Sequence, residues 1–283
     1  MNEFIKSHGL GNDYIVMDQN NISFDLNPEA IRLLCDRNYG IGSDGILLLT
    51  TDRSSGFDLR ILNPDGSEAE KSGNGLRIFA KFLYEHRYTQ DSSFLINTPG
   101  GTVMASLETE NKRVTFVTVD MGTVTFKSSE IPVKGDEREV VNEELRINGE
   151  ILDFTAVSVG NPHCVVFRED IDEAYLKKLG PIIENHNIFP NKTNVQFAKI
   201  IDRNNISALI WERGAGYTLA SGSSSCAVAA AAVKNGLTDR NVVVNMPGGS
   251  LEIAVGEDWK IKMRGGVEEV YTGTLSNDII SRL

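Results

Sequence analysis

Only three cysteines occur in this chain, Cys35, Cys164 and Cys226. The number is odd and the spacing scattered, which excludes a disulfide framework and fits reduced thiols. The sequence has no CxxC, no HExxH and no close His/Asp cluster, so no metal is expected. It also lacks long apolar runs. The most apolar late stretch, Ala227 to Val233, is far short of the roughly 20 residues that cross a bilayer. The opening "MNEFIKSHGLGNDYIVMD" has neither an apolar core nor a small-residue cleavage site, so no signal peptide, no membrane partner and a cytoplasmic location are expected. Positive charge is in short supply: 28 Lys and Arg against 39 Asp and Glu, a formal net charge of -11. No basic cluster stands out, and nucleic acid is excluded as an expected partner.

What is present is the composition of a folded soluble domain, 41% hydrophobic and 24% charged. A chain of 283 residues has room for one large domain or two of about 100–150 residues. The chain also repeats itself. Gly11-Asn12 in "HGLGNDYIVMD" and Gly160-Asn161 in "VSVGNPHCVVF" stand 149 residues apart. Ser72-Gly73 and Ser221-Gly222 have the same separation. So do "SDGILLL" from Ser43 and "KTNVQFA" from Lys192, and "INTPGGTVMAS" from Ile96 meets "VNMPGGSLEIA" from Val244 at 148. Matches in one order at nearly one offset point to tandem duplication. The expected organisation is an N-terminal unit at 1–118, a crossover at 119–149, a second unit at 150–270 and a C-terminal segment at 271–283. The charged "KGDEREVVNEEL" (Lys134 to Leu145) is expected to be a surface hairpin or linker.

Local patterns give each unit strands and helices. "DGILLL", "FDLRIL" and "RVTFVTVDMG" are apolar runs bounded by Gly, Asp and Asn, and predict strands. "NPEAIRLLCDRN" predicts a helix with Asn27 as N-cap and Pro28 first in the helix. "GNGLRIFAKFLYEH" predicts a helix with one apolar face from Leu76, Phe79, Phe82 and Leu83. Its counterpart "CAVAAAAVKNG" is small and apolar all round, with Gly236 to cap it, and such a helix must be buried all round. The fold class is therefore α/β (α+β): two pseudo-symmetric units, each a curled mixed sheet around a central helix.

Ser72 and Ser221 each precede a predicted helix in a glycine-containing loop, where free backbone N–H groups can hold an anion. A substrate carboxylate across Gly73, Asn74, Gly222 and Ser223 would leave Ser72 and Ser221 on opposite faces of the adjoining carbon. That arrangement suits stereoinversion, one side chain removing a proton and the other delivering one. A serine at a helix start is also an ordinary N-cap worth about 1 kcal/mol. Of the four histidines, His8 and His163 lie closest to the repeated Gly-Asn, and structural hydrogen bonding is the expected role of both. Cys226 is expected to point away from Ser221 on its helix, Cys164 to face the side of its strand opposite His163, and Cys35 to lie on an apolar helix face, all three buried and structural.

The stretches "HGLGNDY", "GIGSDG", "NPDGSEAEKSGNGLR", "VGNPH", "NVQF" and "WERGAGYTLASGSSSCA" resemble, in order and over nearly the whole chain, the diaminopimelate epimerase family. The resemblance implies two similar α/β units with a site between them. It implies interconversion of L,L- and meso-diaminopimelate without pyridoxal phosphate or metal, in lysine and cell-wall precursor synthesis, and suggests a homodimer. The positions that carry over as substrate contacts are Asn12, Asn63, Gly73, Asn74, Asn161, Asn194, Glu212, Arg213, Gly222 and Ser223. Arg213 is suited to pairing with a carboxylate, and the asparagines to holding ammonium and distal groups.

At both acid/base positions the family pattern has cysteine, and this chain has Ser72 and Ser221. A thiol ionises near 8.5, within reach of a helix N-terminus, whereas an alkanol is several units weaker and a helix dipole contributes only about 0.3–1 kcal/mol. Three readings stand open on the residues: an epimerase whose cysteines were replaced to arrest turnover, a natural serine-bearing relative acting as an isomerase or lyase on a related substrate, or a protein that binds an amino acid without turnover. Ser223 and Ser224 stand where the family has Thr-Gly, which favours natural divergence.

Overall fold

The computed structural model describes residues 2–50 and 56–283. The chain divides into two units, Met1–Val119 with Gly265–Leu283, and Asp120–Arg264. The first begins with β1 (Glu3–Gly9) and β2 (Asn12–Asp18), followed by α1 (Pro28–Cys35), β3 (Ile46–Leu49), β4 (Phe57–Leu62) and β5 (Glu68–Ala69). Next come α2 (Gly73–Glu85), β6 (Ser93–Thr98), β7 (Gly101–Glu110) and β8 (Arg113–Thr123). The neighbours run β1–β2–β3–β4–β6–β7–β8, with β2–β3 and β4–β6 parallel and the other pairs antiparallel. Each parallel pair has a helix between its strands, as a crossover connection requires.

The second unit repeats this plan. It contains β9 (Glu143–Ile147), β10 (Glu150–Ser158), β11 (Pro162–Phe167), α3 (Glu173–Glu184), β12 (Asn194–Asp202), β13 (Asn205–Glu212) and β14 (Gly216–Thr218). It ends with α4 (Gly222–Lys234), β15 (Asn241–Met246), β16 (Gly249–Val255) and β17 (Lys260–Gly265). The order β10–β11–β12–β13–β15–β16–β17 has its parallel pairs, β11–β12 and β13–β15, in the matching places. One further strand flanks each order: β9 pairs with β10 as its hairpin partner, and β18 (Glu268–Thr274), from the far end of the chain, pairs with β1. A short α5 (Asn277–Ile280) follows.

This differs from the organisation expected of 119–149 and 271–283. Residues 265–283 belong to the first unit, because β18 completes the edge of β1. Residues 120–149 belong to the second unit, where β9 pairs with β10 and Ile131, Val133, Val140 and Leu145 lie in its core. The charged stretch is therefore anchored by its apolar residues.

α4 is sheathed by β10, β11, β12, β13, β15 and β16, and its buried residues include Cys226 to Ala232 without a break. α2 packs on β1, β2 and β7, and its buried run extends from Gly73 to Leu83. The expected polar side of α2 is thus inside as well. Lys81 is accommodated there by Glu85 at 2.7 Å and the Val114 carbonyl at 3.2 Å. The two helices end alike. Tyr88 N–H bonds Leu83 O and Arg87 N–H bonds Tyr84 O; Leu237 N–H bonds Ala232 O and Gly236 N–H bonds Val233 O. These pairs form the Schellman motif, which needs a left-handed residue at its turn. Gly236 fills that position at φ 71°, and Arg87 fills it at φ 66°.

Candidate active site

Each unit carries one of the two expected acid/base serines at the start of its central helix. In the first, Ser72 is the N-cap of α2 in extended conformation, and its Oγ accepts the Gly75 N–H at 3.1 Å. Its carbonyl takes the Leu76 N–H. The N–H groups of Gly73 and Asn74 come earlier in the turn, where a helix has no acceptor of its own for them. Tyr14 Oη lies 3.1 Å from Ser72 Oγ. The side chain of Asn74 donates to Asn12 Oδ1 at 3.0 Å, and Asn12 Nδ2 donates to Asp44 Oδ2 at 2.9 Å. Behind them the wholly buried Arg77 donates to Asn74 Oδ1 at 2.9 Å and to Gly73 O at 3.2 Å. Asn12, Gly73 and Asn74 are thus locked in one hydrogen-bonded chain. Asn63 stands apart from it, in a turn of its own with Nδ2 on Ser67 Oγ at 2.9 Å.

Charge anchors the chain at its outer end. Arg37 Nη2 bridges Asp13 Oδ1 at 2.8 Å and Asp44 Oδ1 at 2.7 Å, and Lys6 also pairs with Asp13. Burial raises the Asp13 pKa, but the bonds from Arg37 and Lys6 outweigh it and hold the carboxyl below its usual range.

In the second unit, Ser221 is the N-cap of α4 and its Oγ accepts the Ser224 N–H at 3.4 Å. Gly222 is buried and Ser223 half-buried in the first turn. His163 is fully buried, and its Nε2–H donates to Asn161 Oδ1 at 2.8 Å while Nδ1 accepts from Gln196 Nε2 at 3.0 Å. Gln196 Nε2 also reaches Ser224 Oγ at 3.0 Å. Asn161 is therefore tied to the first turn of α4 through His163 and Gln196. Burial pushes the His163 pKa down to about 3; the Gln196 bond opposes this and the Arg213 charge reinforces it. The ring is neutral at working pH and serves to orient Asn161. Asn194 is buried, giving Nδ2 to Pro162 O at 2.8 Å and accepting the Arg213 N–H at 2.9 Å. Glu212 Oε1 accepts from Thr218 at 3.2 Å, and the exposed Arg213 reaches Asn191 O at 3.1 Å.

Each helix start can thus take an anion on its backbone N–H groups with a hydroxyl beside it, and oriented carboxamides close by. Among the described residues no group of three or more His, Cys, Asp or Glu side chains is placed to hold a metal. The three cysteines are buried, as expected, and burial raises the pKa of Cys35 and Cys164. Sequence reasoning missed Tyr14, Asp44, Arg77, Gln196 and Ser224 as supports. The repeat held a signal for one of them, since Tyr14 and His163 are separated by the same 149 residues.

The family model for diaminopimelate epimerase matches residues 4–127 and 155–270. Diaminopimelate epimerase 2 of Nostoc sp. is 49% identical over 281 residues, covering 99% of this chain and 97% of the relative. The diaminopimelate epimerase of Desulfitobacterium hafniense is 42% identical, covering 99% of this chain and all of the relative, 100%. Among solved structures, a probable proline racemase from Agrobacterium radiobacter superposes with a TM-score of 0.73 at 15% identity, over 98% of this chain and 93% of that one. A hydroxyproline epimerase from Agrobacterium vitis gives 0.70 at 13% identity, over 96% and 90%. These distant likenesses establish the two-unit α/β fold.

Proposed function

The chain belongs to the diaminopimelate epimerase family, and from that membership we propose that it is a cofactor-independent amino-acid epimerase, interconverting L,L- and meso-diaminopimelate for lysine synthesis, with Ser72 and Ser221 in the two acid/base roles. The observation that carries this reading is the equivalence of the two helix starts. Each unit presents a hydroxyl at an N-cap, followed by Gly73-Asn74 or Gly222-Ser223, 149 residues apart. A two-base inversion needs one proton-carrying group from each of two sources. Gly73, Asn74, Gly222 and Ser223 hold the α-carboxylate; Asn12, Asn63, Asn161 and Asn194 orient the ammonium and distal groups; Glu212 and Arg213 recognise the charged end.

A second reading is binding without turnover. It is favoured by one observation: both hydroxyls are already held as N-caps, and Ser221 Oγ meets only the Ser224 N–H among the described residues. Proton exchange separates the two. L,L-Diaminopimelate incubated in D2O with a high concentration of protein should lose its α-proton signal by NMR if the epimerase reading holds. The Ser72→Cys, Ser221→Cys double variant should invert the substrate. A folded double variant that binds diaminopimelate and leaves its α-proton untouched would refute the assignment of these two positions.

A further inference from the structure

An alkanol at a helix start lacks the acidity of a thiol, so a serine working there needs a partner for its proton. The first unit contains a candidate. Tyr14 lies two residues past Asn12 on β2, its side chain buried, with Oη 3.1 Å from Ser72 Oγ. Its ring is held in place by Gly45, where an added Cβ would come within 2.9 Å of Tyr14 Cε1 and 2.7 Å of the Leu62 carbonyl. The equivalent position in the second unit is His163, whose two ring nitrogens are engaged by Asn161 and Gln196. The duplication therefore placed a ring with a titratable polar atom at the same point in both units. Only in the first does that ring touch the N-cap serine.

We propose that Tyr14 is the proton partner of Ser72, an inference that rests on the reading of Ser72 as an acid/base group. The valences at Ser72 Oγ support it. One lone pair accepts the Gly75 N–H, and opposite an ionised Tyr14, 3.1 Å away, the hydroxyl proton is directed at its Oη. The second lone pair is left for a proton from carbon. When the α C–H bond breaks, its electron pair stays on carbon and its proton bonds to Oγ. The former hydroxyl proton passes to a Tyr14 phenolate, which becomes a phenol. In the reverse direction the phenol returns that proton to Oγ as Oγ delivers its own to carbon. No other reactant is required. Tyrosine ionises near 10, far closer to working conditions than serine. Exchange should therefore quicken as pH rises, and the unit carrying Tyr14 should exchange protons faster than the one carrying Ser221.

The test follows α-proton exchange of L,L- and meso-diaminopimelate in D2O between pH 7 and pH 11, in the full chain and in Tyr14→Phe. The full chain should show an ascending alkaline limb. Tyr14→Phe keeps the ring and its packing, and should lose that limb and at least tenfold in rate. A purely structural tyrosine would leave the pH dependence in place. A fluorinated tyrosine at position 14, being more acidic, should move the limb to lower pH, and an unmoved limb would overturn the proposal. Exchange of equal rate and pH dependence in Tyr14→Phe would also overturn it. If the full chain is inert while Ser72→Cys with Ser221→Cys exchanges, the Tyr14 proposal fails and the family reading survives. Should neither exchange, the epimerase reading falls and this inference falls with it.

Discussion

Lowering the pH from 7 to 5 should strip stability from this protein through one residue, His163. Its imidazole is fully buried, and burial pushes its pKa from the ordinary 6.5 to about 3. Above pH 6.5 the ring is neutral in both folded and unfolded chains and contributes nothing to the pH dependence. Below it the unfolded chain binds a proton that the folded chain refuses, so stability falls with pH until the folded ring protonates near 3. Each unit within that window is worth about 1.4 kcal/mol, so the loss between pH 7 and pH 5 is about 2 kcal/mol. The pH 5 limit lies above the ordinary carboxylate range, and Asp13, held below that range by Arg37 and Lys6, stays ionised throughout. Urea unfolding at both pH values checks this in the wild-type chain and in His163→Gln, which lacks the titrating ring. The wild type should lose about 2 kcal/mol more than the variant between the two conditions. Equal losses would refute the argument, and with it the conclusion that His163 is a neutral orienting group.

Other expectations follow from the same geometry. Arg87→Gly relieves a left-handed residue, worth about 1–2 kcal/mol, against a chain-entropy loss of about 0.4–1 kcal/mol, so denaturant unfolding should show a gain of about 0.5–1 kcal/mol. Gly236→Ala at the equivalent cap should lose a similar amount. Asp44→Ala removes the anchor of Asn12 and should weaken diaminopimelate binding about tenfold by calorimetry, about 1.4 kcal/mol and of the order of a hydrogen bond to a charged group. A thiol reagent at pH 8 should label none of Cys35, Cys164 and Cys226 in the native protein and all of them in denaturant.

Much of the fold was legible because duplication writes long-range structure as local repetition. The spacing between Ser72 and Ser221 marked the starts of two helices of equal length, and the matched apolar runs became strands in matching order. Asn27 and Pro28 opened α1 as capping chemistry predicts. What stayed hidden depended on partners far apart in sequence. The "EEVYTGT" of β18 alternates no more than other strands, and nothing in it names β1 as its neighbour. The burial of Lys81 and Arg77 contradicts their residue type and is intelligible only once Glu85, Val114 and Asn74 are seen beside them. Tyr14 was missed for a related reason: the period-two pattern of a strand says which face a ring lies on, and leaves open which oxygen it meets.

The first unit is discontinuous, and that has a consequence for biosynthesis. β9 through β17 form an uninterrupted stretch of the chain, and the second unit takes no strand from the tail. β1 must wait, its outer backbone edge unmatched, until Glu268–Thr274 emerges some 260 residues later. The helix bearing Ser72 is therefore housed in a unit whose sheet edge stays open until the last stretch of the chain has been made.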